Sequence, residues 1–292
     1  MKKIQMLCLL VISVIAIVGC SSSSKITLSH VHGLGYTGDG KQILIPAHHG
    51  LVSYSNGKWG SFGGDKHDYM GFNTVDTGFY SSGHPAEGSD LKNPLGIVKS
   101  DDNGKKLQIL DLHGVEDFHG MAVGYKTHAI YVYNPKKNEK MPSAGLFYSL
   151  DDARSWSKSN QDGISGEPVA IAAHPSDSST VALITKAGLF ISKDKGNHFN
   201  KVTVQFPTTG VSFTLAGDLL IGGPNSIVIQ DAQQQVTTLQ IPKLDQDDAV
   251  QYLSQNPLKE SELVFSTFKK NVFISYDNGS TWSQIANQGK TQ

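Results

Sequence analysis

Arginine is almost missing from this sequence: Arg154 is the only one among 292 residues. No block of lysines replaces it, so the electrostatic footprint that a nucleic-acid partner needs is absent. Cysteine is as scarce, and Cys8 and Cys20 both lie within the first twenty positions. A chain cleaved ahead of Cys20 would retain no pair able to form a disulfide, and its stability must come from burial rather than cross-links. Long apolar runs are also absent after residue 20, where short apolar stretches alternate with Gly, Asn, Asp and Ser. That pattern is one of strands and turns.

What is present begins with a leader. Lys2 and Lys3 precede the apolar run "IQMLCLLVISVIAIVGC". A basic start, a short apolar core and small residues at its end predict a secretory signal over residues 1–19. The run is short for a full membrane span. Val18-Gly19-Cys20 resembles a bacterial lipobox, which implies cleavage before Cys20, a diacylglycerol on its sulfur and an extracytoplasmic protein held at the membrane. Residues 20–29, with "SSSSK", read as the lipidated cysteine and a flexible tether. Residues 30–292 read as a single domain. Once Lys2 and Lys3 leave, 23 basic side chains face 26 acidic ones.

An internal repeat sets the expected fold. The unit is an apolar strand followed by Ser-x-Asp-x-Gly and an aromatic. "NVFISYDNGSTW" carries it with Ser275, Asp277, Gly279 and Trp282; "AGLFYSLDDARSW" with Ser149, Asp151 and Trp156; "AGLFISKDKGNHF" with Ser192, Asp194, Gly196 and Phe199. "LGIVKSDDNGKKL" keeps Ser100, Asp102 and Gly104. "HGLVSYSNGKW" and "NSIVIQDAQQQV" are degenerate copies, and the period is roughly 45 residues. These stretches resemble the Asp-box (BNR) repeat of sialidases, sortilin-type receptors and related propellers. The resemblance runs over almost all of residues 30–292 and implies structural, not catalytic, roles for Asp102, Asp151, Asp194 and Asp277. A strand–turn–strand pair precedes each copy, giving four antiparallel strands per unit. Six units predict an all-β, six-bladed β-propeller.

Eleven histidines occur, and eight of them precede residue 120. Topology assigns those eight to one face. His30 and His67 stand at the lead-in to the innermost strand of blades one and two, with Asp117 and Glu167 at the equivalent places in blades three and four. Two residues on come His32, Tyr69 and His119, on the same side because strand side chains alternate. His48, His49 and His84 fall in loops on that face, and His113 leads into blade three. His128, His174 and His198 fall in turns on the opposite face. Taken singly, each of the eight reads as a polar loop residue or a satisfied core histidine. Together, imidazoles need a shared partner, and a transition metal supplies one. The predicted site is therefore His30, His32, His67 and His119, supported by Asp117 and Glu167, with His48, His49, His84 and His113 as further ligands or a rim. Copper is preferred over zinc. Met70 and Met121 flank these positions, although core packing is their expected role.

The Asp-box resemblance also brings glycosyl hydrolases into view. Sialidases clamp a substrate carboxylate with three arginines, and a chain with Arg154 alone excludes that chemistry. Another glycosidase would need two flanking carboxylates, for which Glu116, Asp117, Glu167 and Asp248 are available. A metal-dependent oxidase or reductase is a further class. The remaining alternative is a scaffold that binds a protein or peptide without chemistry. The preferred reading is a metal-binding lipoprotein, not an enzyme, whose partners are the membrane and a protein or metal-handling system.

Overall fold

The computed structural model describes residues 26–102 and 104–292. The expected signal, Cys20 and most of the tether lie outside the described residues.

The described chain is all-β, with twenty-five strands and no helix. Blade 1 holds β1 (Gly35–Tyr36), β2 (Ile43–Ala47), β3 (Gly50–Ser55) and β4 (Lys58–Phe62). Blade 2 holds β5 (Asp68–Thr74), β6 (Phe79–His84), β7 (Ile97–Ser100) and β8 (Gln108–Asp111). Blade 3 holds β9 (Met121–Val123), β10 (Ile130–Asn134), β11 (Gly145–Ser149) and β12 (Ser157–Lys158). Blade 4 follows with β13 (Pro168–Ala173), β14 (Val181–Thr185), β15 (Gly188–Ser192) and β16 (Asn200–Lys201). Blade 5 is β17 (Gly210–Phe213), β18 (Leu219–Gly223), β19 (Ser226–Gln230) and β20 (Val236–Leu239). Blade 6 has β21 (Val250–Asn256), β22 (Lys259–Thr267), β23 (Val272–Ser275), β24 (Ser283–Asn287) and a short fifth strand, β25 (Lys290–Thr291). Strands pair in chain order and antiparallel within every blade. The first strand of each blade lies inside, and the six of them line a central channel of about 210 Å³. The six-bladed propeller expected from the repeat is the fold observed.

The reason this chain closes into a ring lies in its strand patterning. Middle strands such as β2 (ILIPA) and β14 (VALIT) are buried along their whole length, so each blade is apolar on both faces and must be covered on both. Six apolar clusters result, one at each seam between neighbouring blades. Blades 1 and 2 meet through Leu44, Leu51, Tyr69, Phe72 and Phe79. Blades 6 and 1 meet through Val264, Val272 and Ile274 against Tyr36, Ile43 and Ile45.

The ring closes with residues 26–28, at the end of the stretch between the expected lipidation site and the first blade, which pair beside the last blade. Leu28 is fully buried in the seam between blades 6 and 1. Its N–H donates to the Gly289 carbonyl at 2.8 Å, and Thr27 bridges Lys290 in the antiparallel sense. Blade 6 thus supplies its own fourth strand, and residues 26–28 lie beside its outermost edge.

The repeated Ser-x-Asp turns fall between the third and fourth strands. In each clear copy the serine hydroxyl donates to the aspartate and accepts the N–H four residues after it. Ser275 Oγ lies 2.8 Å from Asp277 Oδ1 and 2.9 Å from Gly279 N. Ser100, Ser149 and Ser192 repeat the pattern with Asp102, Asp151 and Asp194. Gly279 sits at φ +77°, in the left-handed region where a side chain is strained. The degenerate fifth copy keeps part of this chemistry one residue later, with Asp231 Oδ1 accepting from Gln233 N and Gln235 N.

Candidate functional site

Because strands alternate in direction, the segments leading into the innermost strands and the turns between second and third strands share one end of the propeller. Residues 30–34 approach β1 there, His48 and His49 form the β2–β3 turn, and residues 112–120 approach β9. Imidazoles from these segments stand edge to edge. The His49 and His48 ring centres are 4.9 Å apart, His48 and His30 are 5.6 Å apart, and His30 and His32 are 6.0 Å apart with parallel planes. His30, His48 and His49 are exposed, whereas His32 is half-buried inside the mouth. A cavity of about 530 Å³ there is lined by residues that include His32, Met70, Asp117, His119, Tyr133 and Val169.

Two carboxylates orient these rings. His48 Nδ1 lies 2.8 Å from Asp68 Oδ2. An ionised carboxylate only accepts, so Nδ1 donates and Nε2 is the nitrogen left without a partner. Asp117 Oδ2 lies 2.7 Å from His119 Nε2, which by the same logic leaves Nδ1 of His119 free. The second ring nitrogen of a metal-binding histidine is commonly held by a carboxylate in this way. Asp117 is itself fixed by Ser82, whose hydroxyl donates to Oδ1 at 3.3 Å. His84 completes the bracket, with Nε2 at 3.3 Å from Asp117 Oδ2 and Nδ1 at 2.7 Å from Asn93 Oδ1. Both of its nitrogens are engaged, so His84 positions Asp117 rather than offering a lone pair.

Electrostatics knit the group together. Burial lowers the pKa of His32, and the neighbouring His119, His30 and His48 lower it further while Asp68 opposes them. The pKa of His119 is raised, chiefly by its hydrogen bond to Asp117 and also by Asp68. His32 is thus held neutral and ready to ligate, and Asp68 acts on both sides of the mouth.

The sequence-predicted residues divide accordingly. The structure gathers His30, His32, His48, His49, His84, His119 and Asp117. His67 stands apart: it is 3 % exposed, its Nδ1 accepts the Ala86 N–H at 2.9 Å, and burial lowers its pKa against the opposing charge of Asp65, with no contribution from the other imidazoles. His113 accepts the Lys92 N–H through Nε2 at 3.0 Å in a surface loop. Glu167 is exposed ahead of β13. Asp248, considered as a glycosidase carboxylate, is a buried structural acceptor for Ala249 N, Lys269 N and Asn271 Nδ2. The residue the sequence reading passed over is Asp68. The paired carboxylate follows His67 by one position, and a one-residue step along a strand changes faces.

Among the described residues, no three His, Cys, Asp or Glu side chains already form a metal-binding group. The imidazoles are gathered but not converged: bonds of about 2 Å to one ion require closer nitrogens than these ring spacings give. The donors at the rim, His30, His48 and His49, are exposed side chains of loops.

No family model matches the chain, and no curated protein matches it. Solved structures do. A putative gluconolactonase superposes with a TM-score of 0.62 at 11% identity, covering 90% of this chain and 92% of its own. A gluconolactonase from Xanthomonas campestris gives 0.58 at 12%, with 83% and 84% covered. A GH74 xyloglucanase from the same organism gives 0.56 at 14%, with 89% of this chain covered but 46% of that one. The chain therefore spans about half the length of the xyloglucanase. The likeness is one of fold. At these identities it extends to the propeller and to neighbours that include enzymes, and no catalytic residue transfers.

Proposed function

We propose that this protein is an extracytoplasmic lipoprotein, anchored through Cys20, whose propeller mouth binds a transition metal, copper ahead of zinc. The observation that carries the reading is the pair of carboxylate-held imidazoles, His48 on Asp68 and His119 on Asp117, each with its other ring nitrogen unengaged. His30, His32 and His49 add further nitrogen donors, and the absence of ligand cysteine suits Cu(II) or Zn(II) over a thiolate site. The Ser-x-Asp turns support placing the chain among Asp-box propellers, where the repeat is structural and the mouth is free to serve binding. We read the protein as a binder or metal-handling component rather than an enzyme, with the membrane as one partner.

Calorimetric titration of Cu(II) into the 292-residue chain, solubilised in detergent and free of any tag, tests this. Saturable binding is expected, lost on combined His32→Ala and His119→Ala and kept in His174→Ala and His198→Ala. Absence of saturable binding by copper and zinc alike overturns the reading in favour of a metal-free scaffold. Separately, Cys20→Ser is expected to move the protein out of the membrane fraction, because the acyl chains supply the anchoring energy; unchanged retention overturns the lipid anchor.

A further inference from the structure

Every clear Ser-x-Asp turn hands an apolar side chain to the seam with the preceding blade. Trp156, Phe199 and Trp282 stand just ahead of β12, β16 and β24, and each joins the apolar cluster its blade shares with the one before. Leu107 does the same ahead of β8. In the degenerate first copy, Trp59 Nε1 reaches across to the Ile285 carbonyl of blade 6 at 3.1 Å. Blade 5 breaks the series. Val236, paired with Gln230 across the hairpin, holds the place of the aromatic and is 54 % exposed. The cluster between blades 4 and 5 contains no side chain from β20 or from the turn before it.

Where the aromatic is missing there is a cleft of about 660 Å³, whose lining includes Ile191, Phe213, Leu219, His174, Lys193 and Asp231. Its apolar walls correspond to the residues that seat the aromatic at other seams. Leu219 pairs with Gln230 as Val181 pairs with Ser192 and Leu263 with Ser275, and Val181 and Leu263 cluster with Phe199 and Trp282. Ile191 likewise matches Tyr148 and Ile229 in those two clusters. The His174 and Phe213 rings, 5.2 Å apart between centres, add an aromatic wall.

The cleft also carries charge of both signs. Lys193 is exposed and lies near enough to His174 for its charge to act on that ring. Asp177 turns both oxygens onto its own loop, accepting from Ser179 N and Thr180 Oγ1. Asp231 accepts from Gln233 N and Gln235 N through Oδ1, and among the described residues its Oδ2 is left for a further donor. We propose that this cleft binds a free aromatic amino acid, with its ring in the place of the absent aromatic, its carboxylate on Lys193 and its ammonium group on Asp231. Apolar walls with a few convergent polar groups, at this volume, suit a small molecule, and an aromatic ring is the group that buries most apolar area there. The site lies on the face of the Ser-x-Asp turns, opposite the mouth, and stands independently of any metal bound there.

Equilibrium dialysis of radiolabelled L-tryptophan against the same detergent-solubilised chain tests this. Saturable binding is expected, with L-leucine about tenfold weaker or more for want of a ring. Lys193→Gln is expected to weaken L-tryptophan about tenfold by removing a charge-assisted hydrogen bond. Val236→Trp supplies the missing aromatic from the chain itself, and is expected to abolish the binding and raise the midpoint of urea unfolding. Lys193 is exposed, so its variant decides the question even where Val236→Trp fails to fold. No saturable binding of L-tryptophan, L-tyrosine or L-phenylalanine overturns the proposal. Binding that Lys193→Gln leaves unchanged, or that persists in a folded Val236→Trp, overturns it equally.

Discussion

Asp68 and His67 are adjacent in sequence and opposite in role, and the difference is one of side-chain parity. A sequence reading that aligned His67 with His30 fixed the right segment and the wrong residue, because nothing in "DKHDYMGF" marks where the pleat begins. Asp117, His32 and His119 were legible because their lead-ins carry paired polar residues at a spacing of two. At the same scale the Ser-x-Asp turns make firm claims. Ser275→Ala would strip the buried Gly279 N–H of its acceptor, and a loss of about 1–3 kcal/mol is expected in urea unfolding. These turns also set the acid limit of stability. Hydrogen bonds from Ser155 and Ser149 depress Asp151 from the ordinary 3.8 to about 2, and Asp194 and Asp277 are lowered in the same way. A carboxylate with a depressed folded-state pKa contributes stability that is complete above its unfolded value and lost as pH falls towards the folded one. The unfolding temperature should therefore drop between pH 4 and pH 2, and Asp151→Asn should make that drop shallower in a thermal melt series.

The elements that frame the mouth depend on backbone conformations that side-chain patterns do not reveal. Within β5 the ladder to β6 shifts between Met70 and Asn73, and Gly71 sits at φ +53°. A Cβ there would strike the Phe118 carbonyl, on the segment leading into β9, and come within 2.8 Å of Met121 Cβ at the start of β9. This irregular stretch sets the register of blade 2 against blade 3, and with it the relation of Asp68 to Asp117. Gly71→Ala is expected to cost about 1–3 kcal/mol from strained backbone alone, read as a lower denaturation midpoint. It should also weaken copper binding without removing any donor. The repeat announced that β5 exists; it carried no signal for this bulge, because irregularities break the periodicity by which strands are read.

At the scale of the whole molecule, the six-blade count was legible because the Ser-x-Asp turn recurs even where two copies decay. The closure was not, since residues 26–28 belong to no repeat and resemble the polar tether before them. Leu28 nevertheless is fully buried in the last seam. Leu28→Ala is expected to destabilise the ring by about 2–5 kcal/mol, detectable in a urea melt, with the mouth histidines untouched. The ring in turn is what gathers donors from the segments before β1 and β9 and from the β2–β3 turn onto a single face, a convergence that sequence distance hides. The most direct measurement of the central claim is anomalous X-ray scattering at the copper edge from crystals grown with Cu(II). A peak is expected at the propeller mouth, bonded at about 2 Å to nitrogens of His32 and His119; no peak, or one only among the Ser-x-Asp turns on the opposite face, would contradict a metal site there.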